Sequence, residues 1–336
     1  MPVWTVKGGR HGEREERLLN EGLIGGGWEE LPSLSQIDDK ESLQELYEQA
    51  YPEATNKTVS NYVGQLWSLI TRMQDGELVV LPVKTTGTIA VGRVSGGYQY
   101  RTDLGEDLRH VRPVEWIQTD IPRDAFDQDL LYSFGAFLTF ARVNREGAEK
   151  RIEAVLTGSH PVELGIGESE DAEAVSPPDI EVLAREQIRQ FISRTYSGHE
   201  FAALIGEILA ARGFVVSVSP PGADQGVDIV AGSAPMGLGR PRLLAQVKKG
   251  QAGIDELRSL RGLVTAQDAD YGLLVAWGGF KGTARREARG DQFVMRLWDS
   301  DDVLTSLLEA YDDMEDETRT RLPLQRFLAL VPEADD

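Results

Sequence analysis

The chain has no cysteine, so disulfides and thiolate-bound zinc are excluded, and its four scattered histidines are too few for a histidine-only metal centre. No apolar run approaches the roughly 18 residues that span a bilayer. The opening residues, Met1-Pro-Val-Trp-Thr-Val-Lys7, lack the apolar core of a signal peptide, so the chain reads as cytoplasmic, with no membrane partner. A Gly-Lys-Ser/Thr phosphate loop is missing too, and Gly96-Gly97 reads as a turn, so nothing within these residues points to an NTPase. Positive charge is scarce: 35 Lys and Arg stand against 55 Asp and Glu, a formal net charge of −20. Such a body repels a polyphosphate as a whole. A local basic groove survives this argument, because much of the acid lies in peripheral clusters such as Glu163 to Asp179 and Asp312 to Glu317.

What is present suffices for two ordinary domains, since 336 residues exceed what one core usually organises. Residues 1–143 read as the first. Ser42–Tyr51 and Thr58–Gln74 have helical spacing, the latter through Tyr62, Leu66, Leu69, Ile70 and Met73. The period then changes to that of strands at Leu78–Lys84, Thr88–Val94, Tyr98–Arg101 and Arg112–Ile117, the second and third joined by Ser95-Gly-Gly97. This pattern predicts an α+β unit, a small β-barrel flanked by helices. Trp4, Trp28, Trp67, Tyr98, Tyr100 and Trp116 are spread over different elements. They serve as core, or a few of them, Tyr98 and Tyr100 on one strand face among them, stack on an extruded base.

Residues 144–178 turn polar and acidic and read as a linker, with a short helix at Ala148–Leu156. Residues 179–336 form the second unit. Asp179 is placed to cap a helix at Ile180–Tyr196. His199–Arg212 carries an apolar stripe of Phe201, Leu204, Ile205, Ile208 and Leu209, and Gly213 ends it. Strands and helices then alternate: strands at Phe214–Val218, Ile229–Ala231, Leu243–Lys249, Tyr271–Ala276 and Phe293–Trp298, helices at Ile254–Ala266, Gly282–Ala288 and Asp302–Tyr311. That is an α/β fold with a mixed sheet.

Chemistry concentrates between Phe214 and Lys249. Asp228 sits where a buried strand begins, and Gln246 and Lys248, two apart on a strand, share a face. Phosphodiester hydrolysis needs a nucleophilic water, neutralised charge and a stabilised leaving oxygen, which a Mg²⁺ or Mn²⁺ held by oxygens supplies. Asp228 is the candidate carboxylate ligand, the Gln246 amide oxygen and Val247 carbonyl complete the protein ligands, and Lys248 orients water and stabilises charge. Lys249 faces the other way. Lys281, Arg285 and Arg286 fall on or beside one short helix, spaced for phosphate contact. Asp224 reads as a turn residue and His199 as a structural one.

The order Phe201, Gly213-Phe214, Gly222-Ala-Asp-Gln-Gly-Val-Asp-Ile, Gln246-Val-Lys248 and Gly272-Leu-Leu-Val-Ala-Trp-Gly-Gly-Phe resembles the Mrr-type catalytic domain of the PD-(D/E)XK nuclease superfamily over about residues 197–310. The resemblance implies a restriction-endonuclease-like fold and metal-dependent cleavage of modified or foreign DNA carried by Asp228, Gln246 and Lys248. This chain departs from the family at Phe201-Ala202, where many members have Phe-Glu. Glu200 and Glu207 share a helix face seven residues apart, and Glu207, nearer Gly213, is the favoured replacement. The segments Trp4-Thr-Val-Lys-Gly-Gly, Gly26-Gly-Trp-Glu-Glu-Leu, Gly76-Glu-Leu-Val-Val-Leu-Pro and Ile89-Ala-Val-Gly-Arg-Val look like an N-terminal PUA-like or EVE-like domain, which implies recognition of a modified base. One such site cuts one strand, so a homodimer is expected. The competing expectations are a binding protein that does not cut, or a nuclease acting on RNA, branched DNA or DNA ends.

Overall fold

The computed structural model describes residues 1–9, 12–135, 138–158, 180–220, 222, 226–233, 235–291 and 293–327. Among these, no helix is long and apolar enough to cross a membrane. The first half runs β1 (Val3–Val6), α1 (Glu15–Glu21), β2 (Leu23–Gly26), α2 (Lys40–Ala50), α3 (Asn56–Trp67), β3 (Leu78–Val83), β4 (Thr88–Val94), β5 (Gln99–Tyr100), β6 (His110–Pro122), α4 (Gln128–Phe134), β7 (Phe140–Arg142) and α5 (Ala148–Leu156). Its strands form one sheet in the order β2-β6-β4-β3-β1-β7, with β5 added to β6.

The two-residue period of a strand explains why β3 is apolar throughout. Leu78 and Val80 pack with Val3, Ile89 and Phe134 on one face, while Val79 and Leu81 pack with Trp4, Val6 and Ala90 on the other. Both faces therefore need cover. Leu130 and Leu131 of α4 and Ile152 of α5 close the first, and Leu18 of α1 with Leu69 and Met73 closes the second.

In place of the expected small β-barrel, the described strands form one open sheet in which the terminal strands β2 and β7 are not paired with each other. Nor does Ser95-Gly-Gly97 make a hairpin: β4 pairs with β3 and β6, and β5 pairs only with β6. The physical reason is length. At thirteen residues β6 occupies the free edge of β4 along its whole run, and the two residues of β5 are too few to close a ring. Register shifts between Ile89 and Gly92 mark where the β4–β6 ladder is irregular, as at a bulge. The helix at Ala148–Leu156, expected within the linker, buries Ala148 and Ile152 in the first core. The acidic stretch around residues 163–179, with the candidate cap Asp179, lies outside the described residues.

The second half runs α6 (Ile180–Thr195), α7 (Gly198–Ala211), β8 (Val215–Val218), β9 (Ile229–Ser233), β10 (Gly239–Lys248), α8 (Ile254–Ala266), β11 (Tyr271–Ala276), α9 (Gly282–Ala288), β12 (Met295–Trp298), α10 (Ser300–Ala310) and α11 (Asp316–Arg321). The sheet order is β12-β11-β10-β9-β8. β10, β11 and β12 are parallel, while β8–β9 and β9–β10 are antiparallel, so the sheet is mixed, as the alternation of elements predicts.

α7 begins at Ser197, whose N–H donates to Glu200 at 2.8 Å, and Gly213 follows it at φ +91°, a conformation that favours glycine. Its stripe of Phe201, Leu204, Ile205 and Ile208 packs with Ala245, Leu273 and Val275 on one sheet face, beside α10. α8 covers the opposite face, where Leu257 and Leu260 meet Leu244, Leu274 and Ala276. Alternation along β10 therefore assigns Gln246 and Lys248 to the α8 side and Val247 to the α7 side.

Candidate active site

The ladder between β9 and β10 sets Ala245 opposite Ile229 and Leu244 opposite Val230, so the next rung brings Asp228 beside Gln246. Asp228 is held by its backbone at both ends. Its N–H donates to the Ala245 carbonyl at 3.0 Å, and its carbonyl accepts from the Ser219 N–H at 2.8 Å. The side chain then crosses to β10, where Oδ2 accepts the Val247 N–H at 2.7 Å. A strand amide between Gln246 and Lys248 thus fixes the carboxylate, and one of its two oxygens takes up that bond.

Gln246 Oε1 is buried and has no hydrogen-bond partner among the described residues. An orphaned acceptor of this kind costs about 1–3 kcal/mol, and Gln246 Oε1 is one of nine buried side-chain nitrogen and oxygen atoms without a partner among the described residues. Lys248, on the same face, is half-buried, and the strand ends there. Glu256 in the first turn of α8 accepts the Gly253 N–H at 2.9 Å. That bond, aided by the charges of Lys248 and Lys281, holds its carboxyl below the usual range. Glu256 is an acid near Lys248 and Lys281 that the sequence reading did not single out. Its signal was its place three residues into the helix that follows the Gln-x-Lys strand.

These donors fit a hard divalent cation: a fixed carboxylate, an orphaned amide oxygen and a strand carbonyl at Val247. No group of three or more His, Asp or Glu that could hold a metal occurs among the described residues. An ion here would rest on one acidic ligand and keep several waters, which suits Mg²⁺ or Mn²⁺ better than Zn²⁺.

The other candidates are distributed differently. The carboxylate of Glu207 accepts the hydroxyl of Thr318 on α11, and α7 packs on the sheet face away from Gln246 and Lys248. The structure therefore does not bring Glu207 to the other three, and Glu200 is committed to capping α7. Lys281 passes beside Gly253 and Glu256, which places it next to the Lys248 end of the sheet. Arg285 is turned inward, paired with the buried Asp299 and stacked 5.3 Å from the Phe280 ring, while Arg286 is exposed.

Tyr98 and Tyr100 lie in the first domain around the buried His110. The Tyr98 hydroxyl is 2.8 Å from His110 Nδ1, and burial pushes its pKa up to about 12. Tyr100 meets the His110 ring edge-on at 5.2 Å. Trp28 joins this cluster in a left-handed backbone conformation, φ +45°, uncommon for a bulky residue.

A carboxylate, an amide oxygen and a lysine thus meet at one end of a mixed α/β sheet. Residues 193–307 match a family model described as "Restriction endonuclease", of the Mrr catalytic type. Residues 4–133 match a domain of unknown function, a result that lends no support to the PUA-like or EVE-like resemblance. No curated protein matches the chain.

Among solved structures the chain is similar to the DNA modification-dependent restriction endonuclease AspBHI, at 14% identity over 74% of this chain and 66% of that one, with a TM-score of 0.34. It is also similar to the MspJI restriction endonuclease in complex with a 27-mer oligonucleotide, at 14% identity over 75% and 65%, TM-score 0.29. EndoMS in its apo form follows at 12% identity over 63% and 61%, TM-score 0.24. The chain thus spans just under two thirds of the length of these structures, and TM-scores so low carry no argument.

Proposed function

We propose that the chain is a divalent-metal-dependent DNA endonuclease in which the first domain selects modified or foreign DNA and the second cuts it. The observation that carries this reading is the Asp228 carboxylate bonded to the Val247 N–H beside the orphaned Gln246 Oε1, on the strand that ends in Lys248. A bound Mg²⁺ or Mn²⁺ would supply Lewis-acid charge at the scissile phosphate. Asp228, Gln246 and the Val247 carbonyl would hold it. The Lys248 ammonium orients the attacking water and offsets charge building on the phosphate oxygens. Glu256 sits within electrostatic reach of that ammonium.

Lys281 and Arg286 are the cations the reading assigns to DNA phosphates. Arg285 is left out because Asp299 holds it. Tyr98 and Tyr100 remain the proposed contacts of the first domain with DNA, through their half-buried ring faces rather than their hydroxyls. Cutting both strands calls for two such sites and hence a homodimer.

The test is cleavage of unmodified, cytosine-methylated, hydroxymethylated and phosphorothioated plasmids with Mg²⁺ or Mn²⁺, wild type beside Lys248→Ala. Cutting confined to one modified plasmid and absent in the variant supports both halves of the reading. A second reading, a protein that binds nucleic acid without cutting, is favoured by the lack of a three-acid metal cluster among the described residues. Binding with no cleavage of any plasmid would select it.

A further inference from the structure

The strand bearing Gln246 and Lys248 is not free where it ends. Residues 249–252 are tied down on three sides. Lys249 Nζ donates to the carbonyls of Ser193 and Tyr196 at the end of α6, at 3.1 and 2.9 Å, and lies over the rings of Phe201 and Trp277. The Trp277 N–H donates to the Lys248 carbonyl at 2.9 Å and the Gly278 N–H to the Lys249 carbonyl at 3.1 Å. The Ala252 N–H donates to the Gly279 carbonyl at 3.1 Å. These two ties stay inside the catalytic domain.

The third tie comes from the other domain. Gln251 Nε2 donates to the Asp120 carbonyl of β6 at 2.6 Å. Close by, the Phe280 N–H donates to the Thr86 carbonyl at 3.4 Å, in the turn between β3 and β4. That turn is stiffened by the buried Glu15, which accepts the N–H groups of Lys84 and Thr85 at 2.8 and 3.0 Å and the Thr85 hydroxyl at 2.7 Å. β6 begins at His110, inside the cluster of Trp28, Tyr98 and Tyr100, and Asp120 is at its far end. At ~3.3 Å per residue an extended strand of this length is a rod of roughly 40 Å. One end lies among the aromatic side chains of the first domain, and the other is bonded to the residue three places after Lys248.

We propose that Gln251 is a positioning residue: it holds the segment after Lys248 against β6, and so makes cleavage depend on the first domain being seated. This rests on the reading of Asp228, Gln246 and Lys248 as a nuclease site. Gln251 touches no reacting group. It acts by fixing the main chain from which the Lys248 ammonium projects. Substituting it removes the bond to β6 and leaves the main-chain bond from Phe280 to Thr86 and the ion pairs Arg123–Glu186 and Arg289–Glu16 in place.

The experiment compares wild type, Gln251→Glu, Gln251→Ala and Gln251→Lys in the full chain, on whichever plasmid the wild type cuts best, with Lys248→Ala as the dead control. Gln251→Glu keeps the shape but loses the N–H donor, and Gln251→Lys restores one. The expected result is a fall in kcat of roughly fivefold for the Glu and Ala variants, the net worth of one hydrogen bond, with most of it recovered by Lys. KM for DNA should move by less than about twofold, because the loss falls on the transition state and not on DNA binding. Hydrogen exchange of the amides of residues 249–253 should quicken in the Glu variant. An unchanged kcat in Gln251→Glu would overturn the inference while leaving the nuclease reading intact. Equal losses in all three variants together with a lowered Tm would overturn it as well, since that is what a merely structural side chain does. A wild type that cuts nothing would overturn both.

Discussion

His110 opens β6 with its imidazole fully buried. The Tyr98 hydroxyl accepts the Leu34 N–H at 3.2 Å and lies 2.8 Å from His110 Nδ1. Burial disfavours the imidazolium and brings the pKa from 6.5 down to about 4, against a smaller opposing pull from the backbone of Trp28 and Leu31. A base depressed in this way stabilises the fold fully above pH 6.5. That contribution fades as pH falls through 6.5 and is gone near 4.

The gap between 6.5 and about 4 corresponds to ~3 kcal/mol, of which ~2 kcal/mol is lost by pH 5, before most carboxylates titrate. Denaturant unfolding between pH 7.5 and 5 would measure it, in wild type and His110→Gln. Trp28, whose ring lies 6.1 Å from His110, gives a local fluorescence signal. The wild type should lose stability over this range and the variant much less. Parallel curves would refute the argument, because then the buried ring is not what binds the proton.

Four further outcomes follow from the catalytic domain. Asp228→Ala and Lys248→Ala should each lower kcat by at least about 10²-fold and leave the far-UV circular dichroism unchanged, since both side chains are half-buried at the end of the sheet and outside its core. Titrating Mg²⁺ or Mn²⁺ to about 100 times its Kd should stabilise the wild type by ~2.7 kcal/mol in a thermal-shift assay, and Asp228→Ala should abolish the effect. Gln246→Leu removes a buried orphan acceptor and should make the metal-free protein about 1–3 kcal/mol more stable while weakening the response to metal, a pair of signs that a purely structural glutamine does not give. Arg285→Ala strands the buried Asp299 and should cost ~3 kcal/mol of stability, whereas Lys281→Ala should leave stability alone and reduce the salt slope of DNA binding by about 1.

Much of the second domain could be read before any coordinates. The stripe of Phe201, Leu204, Ile205 and Ile208, the helix at Ile254–Ala266 and the strand at Tyr271–Ala276 stand where periodicity puts them, because each buries one continuous face or run. Local pattern also sufficed to put Gln246 and Lys248 on one face, since strand alternation needs no knowledge of neighbours. It did not suffice for Glu207. Helix spacing tells which residues share a face, but not that the face meets Thr318 of α11 instead of the sheet face that carries Gln246 and Lys248. Arg285 shows the same limit: its spacing with Lys281 and Arg286 suits a phosphate patch, and only the fold supplies Asp299 as its partner.

In the first half, the existence of β3, β4, β5 and β6 followed from the sequence pattern, whereas β2, β7 and the strand pairing did not. Whether β4 and β5 form a hairpin depends on which edge the distant β6 takes, and β6 takes both. Composition and spacing thus determined the mixed sheet and the shared face of Gln246 and Lys248, since these depend on local periodicity and chain order. Tertiary structure alone decided the open sheet, the roles of Glu207, Arg285 and Glu256, and the bond from Gln251 to β6. Each of these is set by a partner far away in sequence, which no local pattern specifies.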